Sequence, residues 1–218
     1  MKNIKAVIFD IDDTLVDRKV AFLRFCHYFI DKYSVIYPYN INKDDLISYM
    51  IEIDASGYGG LKNFIPELNK VWHLPISSQE FIKERNSVFG SFTVPFPESK
   101  SLLEYLKGKY KLGVITNGYS AVQREKIRVA GLEDYFDDII VSEESGTAKP
   151  DPKIFFMACA NLKVKPDEAV YVGDYYPNDI EGAISAGITP IWVCSNPEAY
   201  RDYEGKRISS IKELMDIL

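Results

Sequence analysis

The sequence predicts an α/β protein: a doubly wound, Rossmann-like parallel sheet with an α-helical domain inserted into it. Three observations carry that reading. Short apolar runs alternate with helical patterns through most of the 218 residues, the arrangement of a parallel sheet covered by helices on both faces. Three of these runs stop at a polar residue, Asp10, Thr116 and Asp174, and such sheets bind ligands beyond the carboxyl ends of their strands. Between residues 16 and 95 the alternation gives way to helical periodicity alone.

The elements follow in chain order. Residues 4–9 (IKAVIF) are a short apolar run, as expected of a buried strand, and end at Asp10. Residues 18–33 set Phe22, Phe25, Cys26, Phe29 and Tyr33 at helical spacing, a candidate core for the inserted helices. Asn42 is suited to cap a helix carrying Leu46, Met50 and Ile53, and Ser77-Ser78-Gln79-Glu80 fits a capping box. Residues 93–97 (TVPFP) read as a stiff return linker, so the expected helical insertion is 16–95 and the expected core 1–15 with 96–218. A helix over 99–107 puts Leu102, Leu103 and Leu106 on one face, and the run 110–115 leads into Thr116. A helix over 120–130 ends at Gly131, where glycine tolerates the left-handed backbone of a helix terminus. Strand 139–141, a helix over 152–161 opened by Pro152, and strand 169–172 ending in Gly173-Asp174 come next. A helix over 178–186 stops at Gly187; strand 189–194 and a final amphipathic helix over 209–217 complete the chain.

Composition narrows the chemistry. Lys and Arg number 26 against 32 Asp and Glu, a formal charge of −6, so neither a nucleic-acid polymer nor an anionic membrane surface is the expected partner. His27 and His73 are the two histidines, and Cys26, Cys159 and Cys194 are scattered, so a zinc site of soft ligands is not expected. With no run near the ~20 apolar residues of a membrane span, and an odd number of dispersed thiols, a cytoplasmic setting is expected. Carboxylates and lysines must then carry any catalysis.

The strongest such cluster is Asp10-Ile11-Asp12-Asp13-Thr14, directly after the first strand. In an extended segment Asp10 and Asp12 project to the same side, and their repulsion calls for a cation or a shared proton. Mg²⁺, which prefers hard oxygen ligands, is the natural cation. A lone D-x-D is equally an acidic turn. Gly173-Asp174-Tyr175-Tyr176-Pro177-Asn178-Asp179 offers further hard ligands at the same sheet edge, or a polar loop capped by Asn178 or Asp179. Thr116, Asn117 and Gly118 offer a hydroxyl and backbone N–H groups to a phosphate oxygen, or form an ordinary Asn-Gly turn. Lys149, in the proline-stiffened loop 148–152, could neutralise a phosphate or simply be solvated.

Taken together and in this order, the four pieces resemble the haloacid dehalogenase-like hydrolase superfamily, in its subclass with a small helical cap. The matching motifs are D-x-D-x-T at Asp10, the strand-end Thr116, the Lys149-Pro150 pair and G-D-x-x-x-N-D at Gly173. The resemblance implies a Mg²⁺-dependent phosphatase acting on a small phosphorylated metabolite. Asp10 would be the nucleophile that takes the phosphoryl group as an aspartyl phosphate. Asp12 would protonate the leaving oxygen and then activate water. Asp10, the backbone carbonyl of Asp12, and Asp174 would hold Mg²⁺, with Asp179 acting through a water or from behind. Thr116, Asn117 and Lys149 would bind the phosphoryl oxygens. A phosphomutase is disfavoured by Asp13, where that branch commonly has glycine.

The stretch 115–155 is similar to pyrimidine 5′-nucleotidases and N-acylneuraminate-9-phosphatases, which implies a nucleoside 5′-monophosphate or a sugar phosphate as substrate. In the cap, Tyr58 within Gly57-Tyr58-Gly59-Gly60 is a candidate to stack on substrate, and Arg18 to touch it; a plain glycine-rich connection and a solvated arginine are the alternatives. A non-catalytic binding protein on the same fold would be expected to show an eroded motif, and none is eroded.

Overall fold

A computed structural model describes residues 3–194, 196 and 198–218. The chain divides into two compact units. One comprises Met1–Asp17 and Pro95–Leu218, the other Arg18–Val94.

The first unit is the doubly wound α/β sheet that the alternation predicts. Its strands are β1 (Ala6–Phe9), β2 (Lys111–Thr116), β3 (Asp138–Val141), β4 (Ala169–Gly173), β5 (Thr189–Val193) and β6 (Lys206–Ile208). All neighbouring pairs are parallel, in the order β3-β2-β1-β4-β5-β6. The chain therefore builds outward from β1 to β3 and then crosses back to β4 on the other side of β1. That reversal places the ligand-binding crevice of such a sheet at the carboxyl ends of β1 and its two neighbours.

Alternation along each strand feeds two cores. Val7 and Phe9 face one side with Val114, Val170 and Val172, covered by Leu102, Leu103, Leu106, Ile127 and Leu214. Ala6, Ile8, Ile115 and Tyr171 face the other, covered by Ile154, Phe155, Ala158, Leu162 and Ala183. The central strand is buried along its whole length, which is why it reads as a continuous apolar run rather than an alternating one.

The second unit holds α1 (Arg18–Ser34), α2 (Lys43–Asp54), α3 (Leu61–Leu68) and α4 (Ser78–Val88). Asn42 caps α2 by accepting from the Asp44 N–H, and Ser77 with Glu80 forms the expected capping box on α4. Phe22, Phe25 and Phe29 are buried, as expected of a core stripe, with Phe64 and Phe81 stacked at 4.6 Å between ring centroids.

The sheet unit continues with α5 (Ser99–Leu106), α6 (Ser120–Ala130), α7 (Ser142–Ser145), α8 (Pro152–Leu162), α9 (Glu181–Ser185) and α10 (Leu214–Ile217). Gly131 ends α6 at φ 65, the left-handed geometry for which it was singled out. The return linker is stitched to the segment after β1: the Phe96 N–H and the Ser99 hydroxyl both donate to the Leu15 carbonyl.

Five elements differ from expectation, the first being the short helix α7 after β3, which was not foreseen. Strand β6 was not foreseen, because only Ile208 of its three residues is buried. Helix α3 was not foreseen either; it follows the Gly59-Gly60 pair and contains Pro66. The single helix expected over 178–186 is instead a wide turn, Tyr176–Ile180, followed by α9. The final helix shortens to a turn at Ile211–Glu213 and α10.

Candidate active site

Strand β1 delivers Asp10. Its N–H donates to the Val172 carbonyl at 2.8 Å, which carries the ladder with β4 one residue past the strand. The chain then turns tightly: Leu15 and Val16 both donate to the Ile11 carbonyl, and Asp13 adopts φ 53. This turn keeps Asp10 at the sheet edge, 7% exposed.

Lys149 is buried, not solvated. Its ammonium donates to Asp10 Oδ1 at 2.7 Å, Asp179 Oδ1 at 2.7 Å and the Tyr171 hydroxyl at 2.8 Å. Three donors thus meet three acceptors from three different elements. The loop is fixed by Asn117, whose side-chain amide donates to the Lys149 carbonyl and accepts from the Lys149 N–H, each at 2.9 Å. The Asn117 side chain thus clamps the lysine loop, a contact separate from the backbone N–H expected to meet a phosphate oxygen.

The segment after β4 brings the second group of acids. Asp179 is fully buried, and its second oxygen accepts from the Tyr175 N–H at 2.9 Å. This requires glycine at 173, since a Cβ there would lie 2.5 Å from Asp179 Cγ. Asp174 is half-buried, and its carbonyl accepts from Trp192 Nε1 at 2.7 Å. One carboxylate oxygen each from Asp10, Asp174 and Asp179 lies within 4.8 Å of the others.

Three carboxylates share this space with one ammonium. Burial first, then repulsion from Asp179 and Asp12, pushes Asp10 up to about 7 despite the pull of Lys149. Burial and the Asp10, Asp179 and Asp13 charges push Asp174 up to about 9. For Lys149, burial works against the charged form, but Asp10 and Asp179 outweigh it and hold the ammonium above its ordinary value. Such a surplus of negative charge in hard oxygen donors suits a divalent cation.

Asp12 and Thr116 meet a different set of groups. Lys126 on α6 donates to both oxygens of Asp12, at 2.7 and 2.5 Å. Gln123, one turn earlier, donates to Thr116 Oγ1 at 2.8 Å, the Asn117 carbonyl at 2.7 Å and Asp12 Oδ2 at 3.2 Å. Arg18 and Tyr58 belong to the helical unit. Arg18 is buried on Asp54, with contacts of 2.7 and 3.0 Å, and so is not a solvated arginine; Tyr58 is 54% exposed.

Gln123, Lys126 and Tyr171 were not anticipated. A signal existed for two of them. On α6 the buried stripe runs Val122, Gln123, Lys126, Ile127, Ala130, so two polar residues sit where an apolar face is expected. Tyr171 lies inside a run of apolar β4 residues and reads as core.

These features define a doubly wound α/β protein that gathers aspartates and a buried lysine at the ends of its strands. The chain belongs to the haloacid dehalogenase-like hydrolase family, whose model matches residues 7–193. It is 34% identical over 227 residues to a glyceraldehyde 3-phosphate phosphatase of Methanothermobacter thermautotrophicus, covering 99% of this chain and 100% of the relative. It is 40% identical over 130 residues to a pyrimidine 5′-nucleotidase of Escherichia coli, covering 57% and 56% of the two chains. The putative hydrolase YfnB of Bacillus subtilis, solved bound to magnesium, shares the fold at TM-score 0.81 and 21% identity, over 100% and 99% of the two chains.

Proposed function

We propose that this enzyme is a Mg²⁺-dependent phosphoric monoester hydrolase that forms an aspartyl phosphate on Asp10. The observation that carries this reading is the sharing of one buried ammonium, Lys149, between Asp10 and Asp179 beside a surplus of carboxylate. Asp10 Oδ attacks phosphorus, and the bond to the leaving oxygen breaks as that oxygen takes a proton from Asp12. Water then attacks the aspartyl phosphate and gives a proton back to Asp12; inorganic phosphate leaves and Asp10 is restored. Lys149 and the Thr116 hydroxyl bind the oxygens of the transferring group. Asp10, the Asp12 carbonyl and Asp174 would hold Mg²⁺, with Asp179 behind them. When bound, Mg²⁺ supplies charge neutralisation between carboxylate and phosphate. The YfnB neighbour, solved with magnesium, supports that choice of ion.

The substrate is a small phosphorylated metabolite. A short sugar phosphate is favoured over a nucleotide, because the glyceraldehyde 3-phosphate phosphatase match spans the whole chain and the nucleotidase match about half. Tyr58, 54% exposed, is the residue of the helical unit proposed to select among substrates. Arg18, the other candidate in that unit, is held by Asp54. The free thiols of Cys26, Cys159 and Cys194 support a reducing, cytoplasmic setting; no helix among the described residues is long and apolar enough to cross a membrane.

The test is a panel of triose, hexose and nucleoside phosphates with Mg²⁺ or EDTA. Phosphate release with Mg²⁺ that stops in EDTA is expected. Isomerised ester without phosphate release would instead establish a mutase, and no turnover with Mg²⁺ bound would establish a binding protein.

A further inference from the structure

The Asp12 carboxylate is not among the clustered oxygens of Asp10, Asp174 and Asp179. It is drawn to α6, where Lys126 binds both of its oxygens and Gln123 adds a third contact. The Lys126 side chain is 3% exposed and that of Asp12 21%. Burying a lysine is unfavourable unless a carboxylate meets it with good geometry. A residue whose only task was to fill the α6 face would be apolar, as Val122, Ile127 and Ala130 are.

Gln123 and Lys126 are three positions apart on a helix and therefore point the same way. Gln123 also donates to Thr116 Oγ1 and to the Asn117 carbonyl. One face of α6 thus joins the acid/base to the end of β2, and through Asn117 to the loop that carries Lys149.

We propose that Lys126, with Gln123, is the positioning device for the proton-transfer step: it fixes the Asp12 carboxylate in the place from which it serves the leaving oxygen and then the attacking water. This rests on the phosphatase reading above. In the first half-reaction the phosphorus–oxygen bond to the leaving group breaks and the Asp12 proton goes to that oxygen. In the second, water bonds to phosphorus, its proton goes to Asp12, and the Asp10–phosphorus bond breaks. Lys126 neither gains nor loses a proton in either step.

Leaving groups differ in how much they need the acid. An alkoxide departs poorly without a proton, whereas 4-nitrophenolate departs without one. The quantity to compare is kcat/KM, which reports steps up to departure of the leaving group. Lys126→Met should lower kcat/KM by about 50-fold for glycerol phosphate but by less than about 5-fold for 4-nitrophenyl phosphate, within the ~10²–10⁴ that general acid catalysis supplies. With the aryl ester kcat should fall more than kcat/KM, because water activation becomes limiting, and KM should fall with it. Lys126→Arg should recover much of the alkyl activity. In an Asp12→Asn background, Lys126→Met should add nothing further for the alkyl ester. Equal losses on the two esters, or losses that add to those of Asp12→Asn, would show that Lys126 only holds the fold and would overturn the proposal; thermal melts of Lys126→Met and Lys126→Arg identify a variant that has not folded. If the unaltered enzyme with Mg²⁺ hydrolyses neither ester, the phosphatase reading has failed first, before any Lys126 variant is compared.

Discussion

Arg18 in the helical unit and Lys149 at the strand ends are both buried cations, but they keep different company. Arg18 meets Asp54 through two hydrogen bonds, and Asp54 also accepts from the Gly57 N–H. There one guanidinium faces one carboxylate, and the same carboxylate holds the backbone of the following turn. Lys149 meets Asp10 and Asp179, with Asp174 close by and Asp13 adding its charge. Here the acids outnumber the base, and burial, with the neighbouring carboxylates adding to it, pushes Asp10 and Asp174 up to about 7 and about 9. A balanced buried pair is complete as folded. An unbalanced one stores repulsion that a cation and a phosphoryl group can relieve, and that separates a site from a structural pin.

Removing each cation should have a different consequence. Lys149→Met should cost about 10³-fold in kcat/KM, the scale of losing an aimed charge-stabilising donor, with a folded protein by circular dichroism. Arg18→Met should instead cost stability, about 3–5 kcal/mol in chemical denaturation, because Asp54 is left buried and uncompensated. Pairing it with Asp54→Asn, which keeps an acceptor for the Gly57 N–H, should restore most of that loss while leaving KM within about 3-fold.

The surplus of acid makes a pH prediction. In the metal-free protein Asp10 and Asp174 hold protons more tightly than at their ordinary value of 3.8. The folded chain binds more protons than the unfolded one, so these groups lower stability as pH rises from about 4 toward 9. Melting temperature in EDTA should fall over that range, and the increase on adding Mg²⁺ should be larger at pH 8.5 than at pH 6 (both chosen as roughly bracketing that window). Asp174→Asn should flatten the fall in EDTA and remove most of the response to Mg²⁺; a steeper fall would contradict the assignment.

The smallest effect belongs to Tyr171. Burial, then the charges of Asp179 and Asp10, push its phenol well above the ordinary value, so it stays protonated and accepts from Lys149. Tyr171→Phe removes one of three acceptors around the ammonium and should lower kcat by about 3–10-fold, the ~1 kcal/mol scale of one hydrogen bond.

The sequence made the strands legible where burial is continuous, as in β1 and β4, and hid β6, which buries only Ile208. It made the acids legible because a strand end followed by Asp is a local pattern. It did not reveal their partners. Lys126 is 114 positions from Asp12 and Tyr171 is 22 from Lys149, and no periodicity links positions that only the sheet order brings together. The 178–186 helix was misread because capping residues and Gly187 mark where a helix ends but not that Asp179 must reach back to the Tyr175 N–H, which widens the turn.

The central claim is that Asp10 takes the phosphoryl group. Acid quenching during turnover, borohydride reduction and peptide mass spectrometry test it directly, because an acyl phosphate is reduced to an alcohol and a free carboxylate is not. Conversion of residue 10 to homoserine, dependent on both substrate and Mg²⁺, is the predicted result. Reduction at another aspartate, or an unmodified Asp10 peptide during steady phosphate release, would contradict it.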